Sequence, residues 1–517
     1  MDEKKEFQSD LDLDFSRDFE DRMPPDEPPA SGAFENPPSD SAQSPRSAGA
    51  QPSQEPYPPR RRRKRSKWQD FKEAYLPVLI LAAALILIIS FVVGAVQHKK
   101  PQKTDKPGAS TSAPLDAEAL LAKEQKQLIA DADALAAQYD YQGAMAILNS
   151  YSAGINNSPE LLAKYQEYTD AFNALIPYND ISKIPNLAVR LLIADLPRAL
   201  ADKDYGSQLN NNYLTTSEFS AMLQQLYDNG YMLVSMRDLA PSAADGTGKT
   251  GISQGTIYLP KGKKPLVLTQ LGVNYFTYLT DGNGDGLPDK DGSGFASRLI
   301  IGPDGKLTNE MVDAEGQTVT GAFDLVTILD SFLETHPDFS YRGARATLAV
   351  TGYDGLFGYR TDPETEKKIS KEFYEEQLRD VKPVIEKLRS EGYDFACMSY
   401  DYMNYGEKKA PEIQADLDLW MAEVKPLLGD VDILVLPYGD IGDRNLYTGP
   451  RFDTLSGNGF HYFMAKDSAT PSWGQISGSY ARMTFREAGG RNLYKFPNWY
   501  QDLFDASKVL DPARSFN

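Results

Sequence analysis

The stretch Lys264-Pro265-Leu266-Val267-Leu268-Thr269 contains a short apolar run at 266–269 that predicts a buried β-strand. Similar short strands are predicted on both sides of it, at residues 188–194, 231–235, 346–350, 393–399, 433–436 and 462–465. Helical periodicity separates many of them, at residues 215–230, 323–333, a segment ending at 389, and 413–428. Repeated strand–helix alternation over roughly 320 residues predicts one α/β domain, a (β/α) barrel with parallel strands.

The composition of the 517-residue chain limits the classes of protein it can belong to. The sequence has 54 Lys and Arg against 73 Asp and Glu, which gives a net charge of −19 at pH 7. Nucleic-acid-binding proteins usually carry a basic face, so this balance argues against nucleic acid as a partner. A single cysteine rules out an intramolecular disulfide framework and a cysteine-rich metal site. The three histidines, His98, His336 and His461, are each expected to satisfy a local hydrogen bond.

The N-terminal part of the chain has the composition of a membrane anchor. Residues 1–59 are rich in Pro, Ser, Asp and Glu, and we expect a disordered acidic tail there. A basic segment follows at 60–75, and residues 76–96 contain no charge, which is long enough for a helix to cross a ~30 Å hydrocarbon core. The basic residues are concentrated on the N-terminal side of this span. The sequence therefore predicts a single-pass protein of the cell membrane, with its N-terminus cytoplasmic and its C-terminal domain extracellular.

A linker and a small helical region separate this span from the predicted barrel. Residues 97–114 predict a flexible linker, and residues 115–178 show three amphipathic helical segments. Small residues at Ala136 and Ala144 resemble those of one tetratricopeptide-type helical hairpin. An array of such hairpins needs about three copies, and no second copy is visible. We therefore expect a helical stalk that packs against the next domain rather than a peptide-binding superhelix.

Three stretches at the ends of predicted strands carry a recognisable set of motifs. They are residues 264–276 (KPLVLTQLGVNYF), 396–402 (ACMSYDY) and 435–439 (VLPYG). They resemble the first, second and third motifs of the polysaccharide deacetylase family, carbohydrate esterase family 4. Residues 338–344 (DFSYRGA) and 348–353 (LAVTGY) resemble a branch of this family found in Gram-positive bacteria. The resemblance covers residues 187–512 and implies a deformed (β/α) barrel.

The resemblance also implies a chemistry, and the residues that would perform it are replaced. Members of the family hydrolyse acetamido groups on chitin-like or peptidoglycan sugars with a divalent metal ion, held by one Asp and two His, and a second Asp as general base. The position of the base is Leu271 and that of the liganding Asp is Gly272. The two histidine positions are Met398 and Tyr402, and the position of a motif arginine is Val435. These side chains are poor ligands and poor proton acceptors at neutral pH.

Two functions follow from these replacements. The first is a catalytically inactive deacetylase-like protein that binds a cell-wall glycan or an envelope protein and needs no cofactor. The second is an active deacetylase of N-acetylglucosamine polymers or peptidoglycan with a displaced metal site, for example one built from the carboxylates of Asp401, Asp440, Asp443 or Asp467. The missing ligands in the first and second motifs favour the inactive protein.

Aromatic residues near the motifs are candidates for sugar binding, because an aromatic face can pack on the apolar face of a sugar ring. We expect these residues to line the rim of the cleft at the strand ends. For any one of them, packing in the core is at least as good an interpretation. The candidates are Tyr275, Phe276, Tyr278, Tyr400, Tyr402, Tyr405 and Tyr438.

Residues 281–292 (DGNGDGLPDKDG) resemble a calcium-binding loop in their spacing. Asp281, Asn283, Asp285 and Asp289 occupy positions 1, 3, 5 and 9 of an EF-hand-type pattern, with glycine at position 6. Gly292 stands where a bidentate glutamate is expected, and Asp-Gly pairs are also common in surface turns. Calcium is the one cofactor that the sequence suggests, and a plain surface turn is the alternative.

Overall fold

The computed structural model of this protein describes residues 113–244, 250–442 and 445–516. The predicted tail, the basic segment, the membrane span at 76–96 and most of the linker lie outside these residues. Within the described residues, no helix combines the length and the apolarity that crossing a membrane requires.

Seven parallel strands close on themselves to form a barrel, which confirms the predicted (β/α) barrel. Around the barrel the order is residues 186–189, 264–271, 347–350, 394–397, 433–436, 462–466 and 481–488, and the last strand pairs with the first. A short strand at residues 231–233 pairs with the beginning of the second barrel strand. All seven carboxyl ends therefore open at one end of the barrel, which we call the mouth.

The strands of the described residues alternate with helices and with three small antiparallel pairings outside the barrel. In chain order the strands are β1 (Ile176–Tyr178), β2 (Asn186–Val189), β3 (Tyr231–Leu233), β4 (Ser242–Ala244), β5 (Thr250–Ile252), β6 (Ile257–Leu259), β7 (Lys264–Leu271), β8 (Arg298–Ile301), β9 (Leu307–Val312), β10 (Thr318–Gly321), β11 (Thr347–Val350), β12 (Asp394–Cys397), β13 (Ile433–Leu436), β14 (Tyr462–Lys466), β15 (Gly474–Ile476) and β16 (Ala481–Ala488). Strand β1 pairs with β6, β4 pairs with β5, and β8, β9 and β10 form a three-stranded sheet.

The helices of the described residues cover the outside of the barrel and build the region before it. In chain order they are α1 (Ala113–Ala136), α2 (Tyr141–Asn149), α3 (Pro159–Asn173), α4 (Leu196–Ala201), α5 (Gly206–Asn212), α6 (Thr216–Asp228), α7 (Met236–Leu239), α8 (Thr277–Thr280), α9 (Leu325–Thr335), α10 (Glu364–Lys368), α11 (Lys371–Ser390), α12 (Ala410–Glu423), α13 (Lys425–Leu428), α14 (Pro450–Gly457), α15 (Gly490–Lys495) and α16 (Ala506–Val509).

Alternation along each barrel strand separates two hydrophobic cores. On β7, Val267 and Leu271 belong to a cluster inside the barrel, whereas Leu266 and Leu268 pack outward against the helices. Successive side chains of a strand point to opposite faces, so the same alternation runs around the barrel. The inner cluster is mostly Ala, Met, Val and Ile, with Asn186 bonded to the Thr269 hydroxyl at 2.9 Å. The barrel interior is a packed core that ends at the mouth.

The three helical segments predicted before the barrel are α1, α2 and α3, which share a small core of their own. The loop between α1 and α2 contacts the barrel domain at Arg342, whose backbone N–H donates to the carbonyl of Gln138 at 2.7 Å. The Arg342 guanidinium also donates to Asp140 at 2.9 Å. This contact joins the helical region to the segment that precedes β11.

Two details of the predicted elements are wrong. The helix predicted at 413–428 is divided between α12 and α13 at Val424, and Pro426 follows the break because proline lacks the N–H that a continuous helix needs. Strand β16 was not predicted. Its sequence, ARMTFREA, alternates three charged residues with apolar ones, yet all eight residues are buried. The charged side chains of β16 can be buried because they form ion pairs with residues outside the strand.

Candidate functional site

The positions that correspond to the deacetylase motifs lie at the mouth of the barrel. Leu271 ends β7, Val435 lies in β13 and Met398 follows β12, and all three are buried in the inner cluster. Their aliphatic and thioether side chains fill the space with apolar atoms. The three positions at which the sequence predicts no metal ligand therefore lie in a packed apolar region.

Gly272, at the position of the liganding aspartate, has a backbone conformation suited to glycine. Its φ is +66°, in the left-handed region that L-residues rarely adopt. A Cβ atom at this position would lie 3.2 Å from the Phe276 ring. The backbone and a neighbouring ring therefore disfavour a larger side chain at this position.

Three charged side chains form an ion-pair network at the mouth. Arg190 follows β2, Lys466 ends β14, and Glu487 lies near the end of β16. The Nε atom of Arg190 lies 2.7 Å from one oxygen of Glu487, and the Nζ atom of Lys466 lies 2.7 Å from the other. The side chain of Glu487 is 5% exposed, and those of Arg190 and Lys466 are each 11% exposed. Three strand ends distant in sequence thus meet in one buried ion-pair network.

Electrostatics within this network favour an ionised Glu487. Burial by itself would raise the pKa of this carboxyl, but Arg190 and Lys466 outweigh burial and lower the pKa to about 2. Burial lowers the pKa of Lys466, while Glu487 opposes that effect. For Arg190, the attraction of Glu487 overcomes burial, and the pKa stays above its ordinary value.

Tyrosine rings surround the guanidinium of Arg190. The Arg190 Cζ atom lies 5.8 Å from the ring centroid of Tyr213 and 6.0 Å from that of Tyr402. Tyr213 shares a hydrogen bond of 2.9 Å with the hydroxyl of Tyr278. Tyr438 packs edge-on against Tyr402 with ring centroids 5.5 Å apart. Three of the predicted sugar-binding tyrosines, Tyr278, Tyr402 and Tyr438, are therefore brought together here.

The expectation that Tyr275 and Tyr405 line the rim is wrong. Each side chain is only 1% exposed, and its hydroxyl donates to a buried carboxylate: Tyr275 to Asp324 at 2.7 Å, and Tyr405 to Asp416. Tyr400 is partly buried and donates to Glu423, and Phe276 is partly buried against the outer core. Tyr275 and Tyr405 satisfy buried acceptors and have no ring face available for a ligand.

Several loops that follow barrel strands contain left-handed residues other than glycine, among them the loops after β7 and β12. Tyr275, Ser399 and Tyr402 have φ values of 53°, 67° and 56°, although none is glycine. A left-handed conformation costs an L-residue roughly 1–2 kcal/mol, so neighbouring contacts must hold it. For the loop after β12, Asp416 supplies them by accepting from the Ser399 hydroxyl and from the N–H groups of Tyr400 and Asp401. These contacts hold the segment just before Tyr402, whose ring lies beside Arg190.

The residues at the mouth do not fit the divalent metal ion that the family resemblance implies. The only carboxylate of the network, Glu487, already binds two cations, and a metal ion there would be repelled by both. Over residues 113–244, 250–442 and 445–516, no three His, Cys, Asp or Glu side chains are grouped in a way that could hold a metal ion. Two of the carboxylates considered for a displaced site have other partners: Asp440 accepts from Arg482, and Asp467 accepts from Thr470. Asp401 is exposed. Asp443 lies outside the described residues.

The loop at 281–292 uses its carboxylates to order its own backbone. Asp281 accepts from the N–H groups of Gly284 and Gly286, and Asp289 accepts from Gly282 and Asn283. Asn283 and Asp285 each accept from the backbone N–H two residues later. These are the contacts of a surface turn, and calcium binding by the loop stays a prediction.

The single cysteine, Cys397, and the histidines His336 and His461 have the surroundings of residues that stabilise the fold. Cys397 is fully buried in β12, and burial raises the pKa of its thiol well above the usual value. His336 Nδ1 lies 3.1 Å from the carbonyl of Phe332, and His461 Nδ1 lies 3.2 Å from that of Ser479. These local hydrogen bonds confirm the expectation for both histidines, while His98 lies outside the described residues.

The predicted site residues did not include Arg190, Lys466 or Glu487. One signal was available for Lys466, which directly follows the predicted strand at 462–465, since a barrel places its site residues at strand ends. Arg190 lies inside the predicted strand at 188–194, which ends earlier in the structure, at Val189. Nothing in the local sequence marked Glu487, because β16 itself was not predicted. Their convergence depends on the closure of the barrel.

Comparison with known proteins adds a structural likeness. No family model and no curated protein matches the chain. Among solved structures, the chain is similar to a Streptococcus pyogenes deacetylase, PplD, in complex with acetate. The sequence identity is 11%, the TM-score is 0.31, and the match covers 62% of this chain and 98% of that chain. The assignment of the barrel rests on the strand pairings of this protein and not on that likeness.

Proposed function

We propose that this protein is a catalytically inactive, deacetylase-like barrel that binds a cell-envelope glycan at its mouth. The observation that carries this proposal is the Arg190–Glu487–Lys466 network. It occupies the strand ends where a deacetylase of the resembled family has its catalytic groups, and it consists of satisfied ion pairs.

Amide hydrolysis at this mouth lacks a group that can activate water. It needs an activated water molecule and a group that stabilises the oxyanion of the tetrahedral intermediate. A base with a pKa lowered to about 2, as for Glu487, is too weak to take a proton from water efficiently at neutral pH. The motif positions Leu271 and Met398 contribute only apolar atoms.

Glycan binding is supported by the aromatic side chains that remain near the surface. Tyr278 and Tyr438 are partly exposed, and both lie in the group of tyrosines around Arg190. Their rings offer apolar faces next to hydroxyls and a cation, which suits a sugar ring with its apolar and polar sides. The binding surface of the proposal is therefore the mouth, with Tyr438 at its edge.

The proposal also includes a location of the protein at the cell membrane. The basic segment at 60–75 and the uncharged span at 76–96 would anchor the chain in the cell membrane with the barrel outside. An anchored barrel with its mouth free is suited to hold an envelope polymer near the membrane surface.

The experiment uses the full-length protein with N-acetylglucosamine oligomers. Acetate release is measured with and without added zinc, and binding is measured by calorimetry. We expect no acetate release in either condition, and binding that Tyr438→Ala weakens at least fivefold. The control is Tyr258→Ala, because Tyr258 is also partly exposed but lies on β6, outside the barrel. Metal-dependent turnover would overturn the inactive assignment, and the absence of binding at millimolar oligomer would overturn glycan binding.

A further inference from the structure

One edge of the three-stranded sheet outside the barrel is open. Strand β10 pairs with β9 on one side, and no other strand of the described residues pairs with it. Thr318 and Thr320 in this strand are exposed, and residues 317–323 carry no charge. A strand edge of this kind is a template for pairing with another chain.

The direction of the backbone groups shows what this edge offers. The carbonyl of Glu310, in β9, accepts from the N–H of Ser297 on the β8 side at 2.7 Å. Thr320 lies opposite Glu310 on the other side of β9, so the two form a non-hydrogen-bonded pair, and Thr318 has the same kind of position two residues away. The N–H and C=O groups of Thr318 and Thr320 therefore point outward, away from β9.

Two other sheet edges are protected in ways that β10 is not. Strand β1 contains Pro177, which lacks an N–H group. At β8, the N–H of Leu299 donates to the carbonyl of Phe357 at 3.0 Å, so a loop covers that edge. Proteins commonly protect an edge strand with proline, a charged side chain or a covering segment. Strand β10 has the sequence Thr-Val-Thr-Gly, with neither proline nor a charge.

We propose that β10 pairs antiparallel with β10 of a second copy of this chain, around a two-fold axis at Val319. In this register Thr318 lies opposite the partner's Thr320, and the outward backbone groups of both residues meet as hydrogen-bonded pairs. Threonine side chains directly opposite each other on antiparallel strands add stability. The pairing joins the three-stranded sheets of the two copies into one continuous sheet.

The charge distribution favours a second copy as the occupant of this edge. The chain has a net charge of −19, so two copies repel each other, and an uncharged strand is a place where they can meet. Glu310 on the neighbouring strand is paired with Arg298. Asp313 and Glu315 lie in the turn before β10, and the two-fold register places the turns of the two copies at opposite ends of the paired strands. These carboxylates therefore do not face each other.

A groove beside β10 enlarges the contact surface. It lies between α6 and α9, has a volume of about 530 Å³, and is lined by Ala322 together with hydroxyl and apolar side chains, all of them uncharged. In the two-fold register the partner's Gly316 lies opposite Ala322, at the entrance of this groove. A four-residue strand alone buries less than the ~1,200 Å² of a stable interface, and the partner's turn in the groove adds to it.

Disulfide cross-linking of the full-length protein tests the register. Cys397 is the single cysteine of the chain and is buried, so an introduced cysteine is the one that reacts in the folded protein. Opposite residues of a non-hydrogen-bonded antiparallel pair have Cα atoms ~4.5 Å apart, within the ~4.4–6.8 Å that a disulfide spans. Val319→Cys should therefore form a covalent dimer under mild oxidation. The control, Thr318→Cys, should cross-link at least tenfold less, because residue 318 faces residue 320 of the partner.

Sedimentation in detergent tests the pairing without cysteines. At micromolar protein we expect twice the 57.3 kDa of one chain. Thr320→Pro removes an outward N–H from each copy and should raise the dimer dissociation constant at least tenfold. Thr320→Val keeps these backbone groups and should pair as the unchanged protein does. Thr320→Lys, which puts a charge on the edge, carries the test if the proline variant does not fold.

Three outcomes would overturn this inference. They are a monomer at micromolar protein, a dimer that neither Thr320→Pro nor Thr320→Lys weakens, and cross-linking of Val319→Cys that is no greater than that of Thr318→Cys or that captures only another protein. Glycan binding at the mouth does not depend on this pairing, so its own test is unaffected by the result.

Discussion

The Nε atom of Arg514 lies 2.6 Å from Oε1 of Glu218, and neither side chain is exposed. Glu218 is also the third residue of the capping box that begins α6, where its other oxygen accepts from the N–H of Thr215 at 2.7 Å. The C-terminal segment is thereby joined to a helix almost 300 residues earlier. Arg514 further donates to the carbonyls of Asn210 and Tyr213, so one side chain connects three segments.

Removal of Arg514 is expected to destabilise the protein strongly. Arg514→Met would leave Glu218 buried without its partner, and breaking a buried pair in this way costs about 3–5 kcal/mol. The free energy of unfolding, measured by urea denaturation, should fall by that amount. The double variant Glu218→Gln/Arg514→Met should lose less than the sum of its single changes. Lys508→Met, in an exposed pair with Asp505, is the control and should behave as the unchanged protein.

Glu487 should make folding stability decrease in acid. Its pKa in the folded protein is lowered to about 2, below the ordinary value of 4.5, so the stabilising contribution is complete above pH 4.5. It is lost as the pH falls from 4.5 towards 2, by about 3 kcal/mol in total. Urea unfolding between pH 3 and pH 7 should show a smaller acid loss in Glu487→Gln than in the unchanged protein. An identical pH dependence in both proteins would contradict the network.

Asp324 should contribute the opposite trend. Burial raises the pKa of this carboxyl to about 6, although Tyr275 and Gln270 donate hydrogen bonds to it and oppose the shift. The folded state therefore binds the proton more tightly than the unfolded state, and the associated stability is lost as the pH rises from about 4 to about 6. Asp324→Asn should remove this decline in urea titrations at pH 4 and pH 6.5. Asp430→Asn, at an exposed carboxylate, should leave it in place.

Introducing the catalytic residues of the resembled family should not create a metal site. The variant Leu271→Asp/Gly272→Asp/Met398→His/Tyr402→His would place ligands beside Arg190 and Lys466. At an effective dielectric constant of ~20, one buried cation about 6 Å away costs a divalent ion roughly 5 kcal/mol.

Zinc calorimetry and acetate release test this expectation, and we expect neither binding at micromolar zinc nor turnover. Adding Lys466→Met to the same variant should tighten zinc binding at least a hundredfold, because it removes one of the two cations. Stoichiometric zinc in the first variant would show that the charge network does not prevent metal binding.

Cys397 should report unfolding through its reaction with a maleimide. It is the single cysteine of the chain, it is fully buried, and burial raises the pKa of its thiol. A maleimide should therefore modify the native protein only as it unfolds, whereas modification in urea should be complete within minutes. Mass spectrometry gives the extent of labelling, and Arg514→Met should label faster than the unchanged protein. Rapid labelling of the native state would contradict the burial of β12.

The sequence by itself determined the local features of this protein. The apolar run at 266–269 and its counterparts predicted parallel strands, and the spacing of Thr215 and Glu218 predicted the start of a helix, because both depend on neighbours along the chain. The replacement of the motif residues, from Leu271 to Val435, could likewise be read directly. These replacements predicted that the mouth lacks the metal ligands and the base of the resembled family.

Only the tertiary structure decided what the mouth contains. Arg190, Lys466 and Glu487 lie on three strands separated by hundreds of residues or by a crossover, and they meet because the barrel closes in one register. The same closure buries Tyr275 and Tyr405 and leaves Tyr438 near the surface, although all three are tyrosines next to motif positions. Side-chain identity is encoded locally, but burial and charge pairing depend on which strands become neighbours.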